Sequence, residues 1–220
     1  MILSVKNLSV AYERIAVVNN ISFDLPRGEI LAIVGKSGCG KSTVLKAING
    51  LLGRNARITN GSITFDGRDI TRLDQHQRRK LAGRSMSMIF QNAASSFCPI
   101  RTVGDQIYES VRAHTDWSRQ MFHARAFEIM DKLNLNPNAL DEYPFRLSGG
   151  MAQRVGILAA MILKPKLLLA DEPTSALDTV TQADVVNELL KLRKRDGVSI
   201  VIVTHHLGVA NFIADRIIKL

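Results

Sequence analysis

The stretch GKSGCGKST, Gly35–Thr43, has the spacing G-x-x-x-x-G-K-[ST] of a loop that wraps a phosphate group. Its glycines let the backbone close around the β-phosphate of a nucleotide and present N–H groups to it. Lys41 supplies a cation for the β- and γ-phosphates, and the Ser42 hydroxyl is a ligand type suited to Mg²⁺. The residues assigned to this cradle are Gly35, Ser37, Gly38, Cys39, Gly40, Lys41, Ser42 and Thr43. By average residue frequencies the pattern arises by chance in roughly one chain in a hundred of this length. A glycine turn beside a surface lysine is the plain alternative; the apolar strand pattern before the loop and the helical pattern after it weigh against that.

LLLADEP, Leu167–Pro173, is the matching second element: an apolar run that ends in two adjacent carboxylates. As a strand it delivers both to the C-terminal edge of a sheet, where open α/β sheets bind ligands. Asp171 suits Mg²⁺, held mainly through the metal's water shell. Successive strand residues point to opposite faces, so Glu172 is free to polarise a water for attack on the γ-phosphate. Gln91 ends the strand pattern MSMIFQ, where it suits a Mg²⁺ ligand or a water-orienting group. His205 follows VSIVIVT at another strand end, within reach of a γ-phosphate. Tyr12 lies between the first two strand patterns, where an aromatic ring can stack on a base or simply pack.

LSGGMAQRV, Leu147–Val155, adds a different half-site. Ser148, Gly149 and Gly150 place a hydroxyl and free N–H groups at a helix start, with the positive end of the helix dipole behind them. No lysine follows, and a second nucleotide in one chain would need its own lysine and metal carboxylate. The simpler reading is that this turn completes a nucleotide held by another subunit. Two copies packed head to tail about a two-fold axis would then bury two nucleotides.

The elements that must position these groups follow from periodicity. Leu3–Val10 and Ala16–Leu25 read as strands, then EILAIVG, GSITFDG (Gly61–Gly67) and MSMIFQ (Met86–Gln91). From Thr102 to Leu163 the pattern is helical, with segments at Val103–Arg112, Ser118–Asn134 and Gly149–Leu163. Strand and helix then alternate: KLLLADE, Thr181–Arg195, VSIVIVTH, Leu207–Ala214 and Arg216–Leu220. Apolar strands alternating with helices imply a mainly parallel sheet covered on both faces, with a helical insertion between two of its strands.

A chain of 220 residues with 46% hydrophobic residues is long enough for one large domain with an embedded subdomain. Its apolar runs are far shorter than a membrane span, so a soluble, cytosolic chain is expected. Cys39 and Cys98 form no metal-ligand pattern, and reduced thiols are expected. The formal charge of +9 suits nucleic acid or an anionic membrane leaflet. The small basic clusters at Gln77–Lys80 and Lys191–Arg195 read first as solvated helix faces.

In order along the chain, Tyr12, GKSGCGKS, Gln91, LSGGM, LLLADE, SALD and TH resemble the ATP-binding cassette family over essentially the whole sequence. The resemblance implies ATP and Mg²⁺ as ligands, two Walker motifs, an adenine-stacking Tyr12, a Q-loop at Gln91 and a switch histidine at His205. It also implies a signature at Ser148–Gly150 and a D-loop over Ser175–Asp178, with Asp178 near the nucleotide. The implied fold is an α/β, RecA-like P-loop core over residues 1–91 and 164–220, with an N-terminal antiparallel β subdomain and a helical subdomain over 92–163. Members usually continue for some tens of residues, so a continuation beyond Leu220 is expected.

Finer motifs, MIFQNAASSF, TVGDQI, YPFRLSGGMAQRV and DEPTSALDTVTQADVVNELL, resemble the peptide/nickel importer branch. Met151, the FCP at Phe97–Pro99, Arg146 and His206 depart from its usual residues. The branch implies an ATPase on the cytoplasmic face of the membrane, paired with two permease subunits and a second cassette, same or related. An external binding protein acts indirectly, and no nucleic-acid partner is expected. A soluble cassette acting on DNA or ribosomes is the alternative. DNA-acting members place coiled coils or zinc modules between the Walker elements, whereas the 129 residues from Ser42 to Asp171 (171 − 42) carry neither a heptad run nor a CxxC pair.

Overall fold

The computed structural model describes residues 1–175 and 177–220. A hairpin of β1 (Leu3–Tyr12) and β2 (Ile15–Leu25) leads into β3 (Ile30–Val34), the glycine loop and α1 (Lys41–Asn49). Strands β4 (Ala56–Phe65) and β5 (Arg68–Asp69), helix α2 (Gln75–Leu81) and strand β6 (Met86–Ile89) follow. The next stretch carries α3 (Val103–Arg112), α4 (Arg119–Lys132) and α5 (Gly149–Met161). The chain then alternates through β7 (Leu167–Asp171), α6 (Thr179–Asp196), β8 (Ser199–Thr204), α7 (Leu207–Ile213) and β9 (Arg216–Lys219).

The strands form an antiparallel sheet in the order β2-β1-β4-β5 and a parallel sheet in the order β6-β7-β8-β3-β9. The parallel strands are apolar throughout because both faces are covered. Ile30, Ala32 and Val34 of β3 join Leu168, Ala170, Ile200 and Ile202 in a core shared with α3 to α6. Leu31 and Ile33 face the other way, with Leu167, Leu169, Val201 and Val203, into a core shared with α1 and the antiparallel sheet. The two-residue alternation of a strand thus builds two cores on one sheet.

Helix starts follow local chemistry. The Thr102, Ser118 and Ser148 side chains accept the N–H groups of Asp105, Met121 and Met151, and Asp178 accepts those of Val180 and Thr181. Each cap satisfies donors that the first helical turn leaves without a partner.

Several elements differ from the expectation. Tyr12 is the last residue of β1, paired with Ile15, rather than part of a loop between strands. Strand β4 begins at Ala56, before Gly61, because its first half pairs with the far end of β1. Strand β6 stops at Ile89, which leaves Gln91 in the turn beyond it. Helix α2 has no counterpart in the periodicity reading. It has no buried residue, hence no apolar stripe, yet Asp74 and Gln77 form a capping box that marks its start.

Candidate functional site

Adjacent parallel strands β6, β7, β8 and β3 all end on one edge of the sheet, and each hands over to a loop carrying a proposed site group. Gln91 follows β6, Asp171 ends β7 and Glu172 follows it, His205 follows β8, and the glycine loop follows β3. The four loops are neighbours in space although the residues span most of the chain.

Glu172 is the meeting point. Its Oε2 lies 3.1 Å from Nδ1 of His205 and accepts from Nε2 of Gln91 at 3.3 Å. The same Gln91 amide reaches the Ser175 hydroxyl at 3.4 Å, and that hydroxyl donates to the Glu172 carbonyl at 3.1 Å. Glu172 has φ 45°, the left-handed region that a non-glycine residue seldom adopts. Its N–H donates to the Val203 carbonyl at 2.9 Å, which holds it there against the local cost. This backbone turn sends Glu172 towards Gln91 and His205, while Asp171 serves the glycine loop. His206 places its ring 4.1 Å from that of His205.

Asp171 is buried and accepts from the Ser42 hydroxyl at 2.8 Å. Burial pushes its carboxyl pKa up; the Ser42 hydrogen bond and the charges of Lys46 and Lys41 oppose that shift, and Glu172 adds to it. Lys41 is 4% exposed, and its Nζ donates to the Gly35 and Lys36 carbonyls at 2.9 Å each, so the cation spans the mouth of the loop. Gly40 has φ 98°, and a Cβ there would stand 2.7 Å from the Val17 carbonyl oxygen. No other residue type fits between β2 and α1.

A cavity of about 970 Å³ opens over these groups. Ser37, Gly38, Gly40, Lys41, Ser42 and Thr43 line one wall, and Gln91, Glu172 and His205 another, with Gly149 of α5 at its border. Among the described residues, the lining does not include Tyr12, Gly35, Cys39, Asp171, Ser148, Gly150 or Asp178. Ser148, Gly149, Gly150 and Asp178 instead line a second groove of about 310 Å³. Asp178 is engaged there as the cap of α6, and its carboxyl is held below the usual range by hydrogen bonds from the Thr181 side chain and backbone. The D-loop stretch also contains Ala176, which lies outside the described residues.

Comparison with known proteins decides the family. The ABC transporter family model matches residues 18–175. The metal-staphylopine import system ATP-binding protein CntD of Staphylococcus aureus is 40% identical over 221 residues, covering 99% of this chain and 81% of its own. The dipeptide transport ATP-binding protein DppD of Bacillus subtilis is 39% identical over 223 residues, covering 98% of this chain and 67% of its own. The dimeric, post-hydrolysis structure of the ATP-binding cassette MJ0796, bound to ADP and Pi, superimposes with a TM-score of 0.87 at 30% identity, covering 99% of this chain and 94% of that one.

This chain belongs to the ABC transporter family. The α/β P-loop fold expected from the motifs is the fold of the cassette. No helix among its described residues is long and apolar enough to cross a membrane. No group of three or more His, Cys, Asp or Glu side chains placed to hold a metal ion occurs among the described residues. A Mg²⁺ ion in this cassette would therefore rest on one carboxylate, one hydroxyl and oxygens of nucleotide and water. Asp171 and Ser42 suit that hard-oxygen set, and a cation would balance the charge that burial disfavours.

Six lining residues of the cassette escaped the reading of the sequence: Asn92, Ala93 and Ala94 beyond Gln91, Ala152 and Gln153 on α5, and Val17. Val17 reaches the cavity from β2, and Gln153 reaches it from α5. Gln153 is 4% exposed, and its Nε2 has no hydrogen-bond partner among the described residues. A polar residue on the buried stripe of a helix was the available signal.

Proposed function

We propose that the chain binds MgATP in the 970 Å³ cavity and hydrolyses it to energise import through two membrane permease subunits at the cytoplasmic face of the membrane. The observation that carries the reading is the Glu172 carboxylate, held by His205 and Gln91 at 3.1 and 3.3 Å beside the phosphate loop. A water on this carboxylate attacks the γ-phosphorus, the bond to the ADP oxygen breaks, and the water's proton passes to Glu172. His205 and Gln91 fix the carboxylate's direction. Lys41 and the loop N–H groups hold the phosphates, and Tyr12 stacks on the adenine. Ser42, Asp171 and Gln91 would hold Mg²⁺, which would supply charge neutralisation at the phosphates.

The exposed Ser148–Gly150 turn belongs to the partner's nucleotide in this reading, with Asp178 beside it. The second subunit is an identical or related cassette. Residues 1–91 and 164–220 act as the catalytic core, and 92–163 as a helical subdomain that docks on the permease. The cargo class is a peptide, nickel or a metal chelate delivered by an external binding protein; the dipeptide and metal-staphylopine systems of the named relatives support the peptide and the chelate. Nothing in the site or these relatives favours a DNA- or ribosome-acting cassette.

Glu172→Gln tests the assignment. It retains ATP binding, loses hydrolysis by at least about 100-fold, consistent with removal of a general base, and accumulates an ATP-loaded pair in scattering measurements. Hydrolysis at the wild-type rate would remove Glu172 from the role.

A further inference from the structure

Outside the nucleotide cavity, a groove of about 560 Å³ runs between α4 and the end of α5, sharing no lining residue with it. The volume falls within the range of small-molecule sites. Its lining joins the apolar Trp117, Met121, Ile162 and Leu163 with three cations, Arg84, Arg125 and Lys164.

The charge there is not balanced from within. Glu128 is the one acid among the described lining residues, and it is already bonded to Arg125 Nη1, at 2.6 Å, and to Lys132. Those bonds hold its carboxyl down at about 2, so it remains an anion committed to them. Arg84 and Lys164 are exposed and have no ion pair among the described residues. The Arg125 Nε is buried with no hydrogen-bond partner among them. A buried guanidinium donor without an acceptor is costly, and the fold leaves this one unmatched. Lys164 is fixed at the rim by a left-handed turn, φ 53°, whose N–H donates to the Met161 carbonyl at 3.0 Å.

We propose that this groove binds a small amphipathic carboxylate. Its aromatic or branched aliphatic body lies on Trp117, Met121, Ile162 and Leu163, and its carboxylate meets Arg84, Arg125 and Lys164. A polyphosphate would leave the apolar lining uncovered and would find no glycine-loop N–H groups here. The site stands apart from ATP chemistry. Its walls nevertheless include the segment leaving α5, the helix whose other end carries Ser148–Gly150.

Trp117 is the single tryptophan of the chain, so its emission reports this groove alone. Titration with 4-phenylbutyrate changes that emission saturably, with half-saturation on the order of 1 mM or below for a ligand of this size. The neutral 4-phenylbutyramide binds at least about tenfold more weakly, a comparison made on the wild-type protein. In Arg84→Glu/Lys164→Glu, both changes lying at exposed positions, phenylbutyrate weakens at least about tenfold while ATP binding stays unchanged, which also verifies folding. Saturating ATP leaves the wild-type titration unaltered. No saturable change, equal response to acid and amide, undiminished binding in the double variant, or displacement by ATP would each overturn the proposal.

Discussion

The glycine loop at Gly35–Thr43 and the Ser148–Gly150 turn both open a helix with glycine, yet they are built to opposite plans. In the first, Lys41 is nearly buried, Gly40 is locked against the Val17 carbonyl, and Ser42 is tied across the sheet to Asp171. In the second, Ser148 and Gly149 are exposed, and the Ser148 hydroxyl is occupied only in capping its own helix. Among the described residues, a Cβ on Gly149 would meet nothing closer than a Leu177 methyl at 3.9 Å. The first site is assembled by its own chain; the second offers dipole and donors, while the Arg154 beside them is paired with Asp184 at 3.0 Å and Asp178 is occupied as the α6 cap. A turn left open in this way acquires a complete anion site only when another body supplies the rest.

Variants at each turn separate the two plans. Gly40→Ala has the largest effect: it forces a Cβ onto the Val17 carbonyl at φ 98°. ATP affinity falls by roughly 100-fold or more, about 2.7 kcal/mol, and hydrolysis falls with it, measured by nucleotide titration. Ser148→Arg leaves nucleotide binding to the monomer near normal while hydrolysis drops by roughly 100-fold, about 2.7 kcal/mol of barrier. Unchanged hydrolysis would make the second turn a mere helix cap.

Asp171→Asn sharpens the contrast from within the first site. A raised carboxyl pKa means the folded state holds the proton more tightly than the unfolded chain. Stability is therefore fullest below the ordinary value of 3.8 and declines as pH rises through the raised one. The amide escapes this cost at neutral pH, so the nucleotide-free protein melts higher, while Mg²⁺-dependent hydrolysis is lost. The melting difference shrinks as the pH falls and is gone only well below the ordinary value of 3.8, where both states hold the proton. The smallest effect is at the second groove, where Asp178→Ala removes the α6 cap and costs about 1 kcal/mol, whereas Asp178→Asn costs only a few tenths, both read by denaturant unfolding.

Much of this was legible before folding. The strand patterns of β3, β7 and β8 were plain because each strand is apolar on both faces, and the caps at Thr102, Ser118 and Ser148 mark helix starts by side-chain chemistry alone. Strand alternation predicted that Asp171 and Glu172 would diverge; they do, but through the left-handed turn at Glu172, one residue beyond the end of β7. Helix α2 showed no apolar periodicity because an exposed helix has no apolar stripe, yet the basic cluster at Gln77–Lys80, read as a solvated helix face, lies within it. Val17 gave no sign, since nothing local distinguishes a β2 valine that faces the glycine loop from one that faces the core.

The sequence by itself determined which residues bear chemistry and how each short segment folds, because propensity, capping and periodicity act over a few residues. Only the tertiary structure decided that β6, β7, β8 and β3 lie side by side, so that Gln91 and His205 converge on one oxygen of Glu172. It also decided that Ser148 and Gly150 line a groove other than the one over the glycine loop, and that Arg125 ends with a buried, unmatched donor. Those outcomes depend on hydrogen bonds and packing between segments far apart in the chain, whose energies add up only once all of them are in place.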